Sequence, residues 1–307
     1  MSKRQITVDF DRRPWKIVGS FGPYEIQDLL SIGGMGTVYL VVHRERPEEQ
    51  RYCLKVIRNE IKTDRFLSRF EHERSILARL DHPNIVKFID GGETPEGLPY
   101  FVMEYVMGRP ITKYCTEEKL SLDGRLRLFE QVCRAVGYLH QRDFVHRDLK
   151  PSNIFVTEQR AVKLLDFGVA KSFADPGKTT SVGLLPFTLA YASPEQLLGS
   201  ASERTSDVYS LGLILYRLLT GRGPFPDPTT LMRQQHFEHV RGTQPALPSS
   251  VVSAEGCANL PDNPTDLVKR LQRRLDSITL RALKLYAHER YQEAGALADD
   301  IHDCIDD

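Results

Sequence analysis

The sequence predicts an α+β chain in which a strand-rich part precedes a larger helical part. Three observations carry this. Over residues 24–57 and 100–106, short apolar runs rich in β-branched and aromatic residues are separated by glycines, the composition of strands and tight turns. From residue 122 onward apolar residues recur at helical spacing, and Val208 to Leu219 is apolar almost all round, as a buried helix would be. Between these parts, Phe144 to Gly168 contains very short apolar runs that enclose polar loops. Strands gathered ahead of helices, rather than alternating with them, define the α+β class.

At 307 residues the chain can hold one large domain or two lobes with real cores. Its 41 basic side chains balance 41 acidic ones, so net charge points to no nucleic acid and no anionic membrane. Cys53, Cys115, Cys133, Cys257 and Cys304 form no Cys-x-x-Cys pair and are odd in number. That argues against a disulfide framework and a zinc site, and fits a reducing cytoplasm. Met1 to Gln5 leads into no apolar run of the signal-peptide kind, and Val208 to Leu219 is too short to span a bilayer and carries Arg217. The expectation is a soluble cytoplasmic protein with no membrane segment. Residues 1–20 read as an extension without chemistry of their own.

Strand pattern begins at Tyr24-Glu25-Ile26 and resumes at Val38 to Val42. Between them lies Leu30-Ser31-Ile32-Gly33-Gly34-Met35-Gly36-Thr37-Val38. Glycines remove Cβ atoms and let backbone N–H groups approach phosphate oxygens, although a glycine-rich hairpin turn explains the same residues. A dinucleotide site would need a helix next, and β-branched and aromatic residues follow instead. In Arg51 to Ile57, Lys55 stands in an apolar strand, which is costly unless its ammonium meets an anion. The next segment supplies one. At about 100° per residue from Phe66, Glu73 falls at about −20°, amid Phe70, Leu77 and Leu80 on the apolar face. A carboxylate in that position calls for a cation, and Lys55 is available. Pro83 ends this helix. Tyr100 to Val106 is a further strand that runs into Gly108 and Pro110.

The helix Leu122 to His140 is amphipathic, with Leu126, Phe129, Val132, Cys133, Val136 and Leu139 on one face. It leads to Phe144-Val145-His146-Arg147-Asp148-Leu149-Lys150-Pro151-Ser152-Asn153-Ile154-Phe155-Val156. Here an acid, a base and an amide share one loop between apolar runs: Asp148 can accept a proton, Lys150 can meet a phosphate, and Asn153 can offer a carbonyl oxygen to a hard cation. Lys163 to Gly168 repeats the device, a strand ending in Asp166 and a glycine.

The joint spacing His-Arg-Asp-x-Lys-x-x-Asn, followed by Asp-Phe-Gly, resembles the catalytic and metal-binding loops of protein kinases. The similarity runs from about Tyr24 to Ile301. It is most like the eukaryotic-type (Hanks-type) serine/threonine kinases of bacteria, through Gly33-Gly34-Met35-Gly36, Ala190-Tyr191-Ala192-Ser193-Pro194-Glu195-Gln196 and Leu297-Ala298-Asp299-Asp300. It implies the two-lobed kinase fold: an extension over 1–20, an N-lobe of strands with one key helix over 21–103, a hinge at 104–106 and a helical C-lobe over 107–307. Residues 240–265 read as a long variable loop.

The resemblance also implies roles. Leu30 to Val38 covers the nucleotide, with Ser31 in place of the first glycine, and Lys55, held by Glu73, meets the α and β phosphates. Met103 is the gatekeeper, and Glu104 to Val106 hydrogen-bond the adenine. Asp148 accepts the substrate hydroxyl's proton, Lys150 faces the transferring phosphoryl group, and Asn153 and Asp166 hold magnesium, with manganese as an alternative. His146 and Asp207 brace the loop, and Arg290 pairs with Glu195. Lys150 and Thr188 match the serine/threonine version of the family. The implied activity is transfer from ATP to Ser or Thr of protein substrates, the chain itself included through self-association. Phosphate on Ser172, Thr179, Thr180 or Ser181 would pair with Arg147. Two alternatives stand beside this: a small-molecule kinase, which would lack the segment Thr188 to Glu195, and a pseudokinase scaffold, for which only Ser31 speaks.

Overall fold

The computed structural model describes residues 20–33, 36–48, 50–57, 74–75, 77–94, 97–166, 189–226, 233–255 and 260–306. The chain divides into two compact units. One runs to Asp81 and resumes over Val86–Tyr105; the other takes His82–Ile85 and everything from Val106.

The first unit is built on an antiparallel sheet of β1 (Ser20–Phe21), β2 (Tyr24–Gly33), β3 (Gly36–His43), β4 (Arg51–Ile57), β5 (Phe88–Glu93) and β6 (Pro99–Glu104), in the order β1-β2-β3-β4-β6-β5. Alternation puts Tyr24, Ile26, Tyr39, Val41, Leu54 and Val102 into one buried cluster. Register places Lys55 opposite Val38 on one side and Phe101 on the other. Residues 30–33, expected in the glycine loop, belong to β2, which pairs with β3 through two register shifts that increase local twist. Gly36 is fixed by packing: a Cβ there would lie 2.1 Å from the Val56 carbonyl oxygen, so β3 and β4 approach this closely only without a side chain.

The second unit is mainly helical. Its elements include α1 (Ile111–Glu117), α2 (Leu122–His140), α3 (Pro194–Leu198), α4 (Arg204–Thr220), α5 (Arg233–Gly242), α6 (Pro248–Glu255), α7 (Pro264–Arg270), α8 (Asp276–Ala282) and α9 (Ala294–His302), with a π-helical turn, Leu271–Leu275, joining α7 to α8. A small sheet orders β7 (Arg109–Pro110), β8 (Ile154–Val156) and β9 (Val162–Leu164). Helix α2 has the bounds its periodicity predicts, with Ser121 accepting from the Gly124 N–H at its start. It buries its apolar face against α9 and α4. Helix α4 is buried on nearly every side, and Gly212 lets it meet α8: a Cβ there would come within 2.9 Å of the Ala282 Cβ.

One expectation is corrected. Residues 240–265 are not one long loop, because α6 forms inside them. Pro248 opens the helix, and the buried Asp276 carboxylate takes the Ser249 N–H at 2.9 Å and the Ser249 hydroxyl at 2.5 Å. It thereby satisfies an orphan donor of the first turn while Val251 and Val252 go into the core. Turn-forming composition was outweighed by a partner 27 residues away. Among the described residues no helix is long and apolar enough to cross a membrane.

Candidate active site

Strands β8 and β9 position the polar residues at their ends. Leu165 N–H donates to the Asn153 carbonyl at 2.7 Å, which fastens the segment before Asp166 to the 146–153 loop. Strand β9 is itself clamped by the segment after Pro83: the Leu164 N–H donates to the Asn84 carbonyl at 2.8 Å, and the Asn84 amide donates to the Val162 carbonyl at 2.9 Å. The sequence reads Pro83 as a helix stop. The structure gives His82–Ile85 to the second unit.

Asp148 is almost wholly buried, and one oxygen of its carboxylate accepts from Lys150 Nζ at 3.0 Å and from Asn153 Nδ2 at 3.2 Å. Asn153 Nδ2 also donates to the Asp148 backbone carbonyl at 2.9 Å. The amide's NH2 is thus committed to the loop, and no donor meets its carbonyl oxygen among the described residues. Asp166, close by in the chain fastening just described, adopts a left-handed φ of 50°. An anchored amide oxygen and a carboxylate are hard oxygen donors of the kind that suit a small divalent cation.

The loop is held from beneath by Asp207 at the start of α4. Its carboxylate accepts the His146 N–H at 2.8 Å, the Arg147 N–H at 2.9 Å and a bond from His140 Nε2 at 3.0 Å. Asp207 is buried, as are both histidines. The brace expected of it is present. Arg147 needs one, since it holds φ 66°, a conformation disfavoured for a residue with a Cβ. His146 is fixed as the Nε2–H tautomer: Nε2 donates to the Leu165 carbonyl at 3.3 Å, and Nδ1 accepts the Asp148 N–H at 3.3 Å. Burial pulls its pKa below the ordinary histidine value, although Asp207 and Asp148 oppose this. It supports the loop in neutral form.

Two supports were missed in the sequence. Gln196 Nε2 donates to the Arg147 carbonyl at 3.0 Å, and His140 Nδ1 accepts the Ala294 N–H at 3.4 Å. His140 carried a faint signal, a titratable side chain on the apolar face of α2. Gln196 carried only its place in a capping box with Ser193. The expected Arg290–Glu195 pair is bidentate, at 2.9 and 3.0 Å, with Arg290 buried and Ser206 Oγ donating to the same carboxylate at 2.6 Å.

In the first unit Lys55 is buried at the centre of β4, and Thr37 is buried while Leu30, Ser31 and Ile32 are exposed. Met103 lies opposite Cys53, and Glu104 is tied to Lys87 by a backbone bond at 3.0 Å and a side-chain bond at 3.0 Å. Val106, half-buried, donates its N–H to nothing among the described residues. Glu73, Thr188, Gly34, Met35, Phe167, Gly168, Ser172, Thr179, Thr180, Ser181 and residues 1–19 lie outside the described residues.

The protein kinase domain model matches residues 24–288. The chain belongs to the protein kinase family. Among curated kinases it is 36% identical over 284 residues to the serine/threonine-protein kinase PknB of Mycobacterium tuberculosis, covering 91% of this chain and 42% of that protein. It is 36% identical over 254 residues to PknA of the same organism, covering 81% and 56%. It therefore spans about half the length, or less, of these relatives. The solved kinase domain of M. tuberculosis PknI superposes with a TM-score of 0.66 at 26% identity, over 95% of this chain and 99% of that one. The two-lobed kinase fold, with an antiparallel sheet in one lobe and helices in the other, is what the elements above build. Members of this family use ATP with a divalent metal and act on protein substrates.

Proposed function

We propose that this chain is the catalytic domain of an ATP- and magnesium-dependent serine/threonine protein kinase, able to phosphorylate copies of itself. The observation that carries the reading is the set of bonds around Asp148: one carboxylate oxygen meets Lys150 Nζ at 3.0 Å and the Asn153 amide at 3.2 Å, in a loop pinned by Asp207. Phosphoryl transfer asks a protein mainly to position reactants and to offset charge. Asp148 orients the acceptor hydroxyl and takes its proton as the oxygen bonds to the γ-phosphorus. The bond from that phosphorus to its bridging oxygen breaks, and ADP leaves with the electron pair. Lys150 faces the phosphoryl oxygens.

Asn153 and Asp166 would hold the magnesium, whose charge, when bound, offsets that of the phosphates. The free amide oxygen of Asn153 fits that duty. Lys55, with Glu73, is assigned to the α and β phosphates. Leu30 to Val38, Met103, Glu104 and the Val106 N–H are assigned to the nucleotide, with the exposed Leu30 and Ile32 offering apolar cover. Thr188 is assigned to the acceptor side, and Arg147 to a phosphate on the segment 172–181. On this reading the lobes are 21–103 and 107–307, joined by 104–106.

Radiolabelled γ-phosphoryl transfer to the protein and to a mixed Ser/Thr peptide library tests the reading. Asp148→Asn is expected to abolish transfer while ATP binding stays nearly intact. Loss of ATP binding in that variant, or no transfer by the parent protein, would contradict it.

A further inference from the structure

A cavity of about 1040 Å³ in the second unit is lined by Lys150, Pro151 and Ser152 of the catalytic loop and, elsewhere, by Arg217, Arg222, Tyr216 and Phe225. That volume admits a peptide segment of several residues, well beyond a single side chain. Its charge is one-sided. Arg217 and Arg222 line it beside Lys150, whose own charge is paired with Asp148, and no Asp or Glu lines it among the described residues.

Arg217 is the informative member. It sits in the last turn of α4, half-buried, and donates to the Tyr191 hydroxyl at 2.7 Å with its guanidinium 6.0 Å over that ring. A cation there also suits the helix C-terminus, which accounts for its place on α4. That role leaves its charge uncompensated: Arg217 forms no ion pair among the described residues, and a neutral hydroxyl fixes its direction without neutralising it. A positively charged, partly desolvated side chain facing a cavity favours an anionic occupant and penalises a cationic one. Tyr216, Phe225 and Pro224 supply the apolar surface that a polypeptide covers.

We propose that this groove receives the acceptor polypeptide and selects segments carrying Asp or Glu near the acceptor hydroxyl, with Arg217 as the main specificity-determining residue and Arg222 as its support. The proposal rests on the phosphotransfer reading of Asp148, since Lys150 belongs both to that site and to the groove. Its content is the sign of the preferred charge.

The test uses peptides with one Ser or Thr acceptor flanked on either side by Ala, Asp or Lys. The wild-type protein is expected to show kcat/KM on the order of tenfold higher for the Asp peptides than for the Lys peptides, the difference lying mostly in KM. Arg217→Glu should collapse or invert that ratio, and Arg222→Glu should compress it. Should Arg217→Glu fail to fold, Arg222→Glu and Arg217→Lys decide, the second being expected to keep the preference. No preference in the wild-type protein, a preference for Lys, or an equal loss on all peptides in the variants would overturn the proposal. Fluorescence polarisation of the same labelled peptides reads the preference without catalysis. Acidic preference in binding with no transfer to any peptide would sink the phosphotransfer reading and leave the groove assignment standing.

Discussion

The side-chain amide of Gln196 donates to the backbone carbonyl of Arg147 at 3.0 Å, while Asp207 takes the Arg147 N–H at 2.9 Å. Both backbone groups of the residue before Asp148 are therefore held, at a φ the residue would not choose alone. Gln196→Met keeps the length and removes the donor. One neutral hydrogen bond contributes about 1 kcal/mol, so kcat should fall by up to about tenfold with the KM for ATP unchanged. Steady-state kinetics check this. A rise in the ATP KM with kcat intact would show that the contact serves something else.

Asp207 collects three donors on one buried carboxylate. Asp207→Asn leaves a single acceptor oxygen and sets an NH2 group against donors. The expected loss is about 2–3 kcal/mol, the range for bonds to charged groups. Hydrogen exchange reports on it locally: the amides of His146 and Arg147 should lose protection, and unchanged protection would refute the assignment.

Burial raises the Glu195 carboxyl pKa, but the bonds and charge of Arg290, helped by the Ser206 hydroxyl, prevail and hold it below the usual range. The unfolded chain then binds a proton at about pH 4.3, where the folded chain does not. The pair's contribution is fully present above that pH and is lost as pH falls through the lower folded value. Melting curves in acid should be flatter for Glu195→Gln than for the wild type. At neutral pH Arg290→Met should cost about 3 kcal/mol or more, because it leaves a partly buried charge without its partner.

His146 has the opposite chemistry and the same direction of pH dependence. Its folded pKa is depressed, so below about pH 6.5 the unfolded chain takes up a proton that the folded chain refuses. Its contribution to stability is complete above about pH 6.5 and declines as pH falls toward the folded value. Protonation would turn Nδ1 into a donor facing the Asp148 N–H. Imidazole NMR should show His146 titrating below the ordinary histidine value, and a titration at that value would contradict the effect of burial assigned here.

Much of this was legible in the chain. Periodicity set the bounds of α2, a lysine in an apolar strand was found buried as Lys55, and apolar character on every side foretold the burial of α4. Short-range rules failed where the deciding partner was distant in sequence. Pro248–Glu255 reads as loop until Asp276 is placed beside Ser249. Gly36 reads as a concession to phosphate, and the structure adds a plainer reason in the Val56 carbonyl. Gln196 enters the sequence only as the end of the Ala190 to Gln196 motif, and its bond to Arg147 spans 49 residues. Such supports leave no local pattern, since a glutamine serves equally well on a surface.

His140 joins the first residue of α9 to Asp207 and so to the loop that carries Asp148. Leu297, Ala298 and Ile301 of α9 are fully enclosed. The family match stops at residue 288, ahead of this helix. A polypeptide trimmed to that limit would retain the catalytic and metal-binding loops, yet would lose Arg290 and its bonds to Glu195, uncover α2 and strip His140 of one of its two anchors. Safe truncation has to run through at least residue 302. The recognisable domain is shorter than the stretch that packs together as one compact unit.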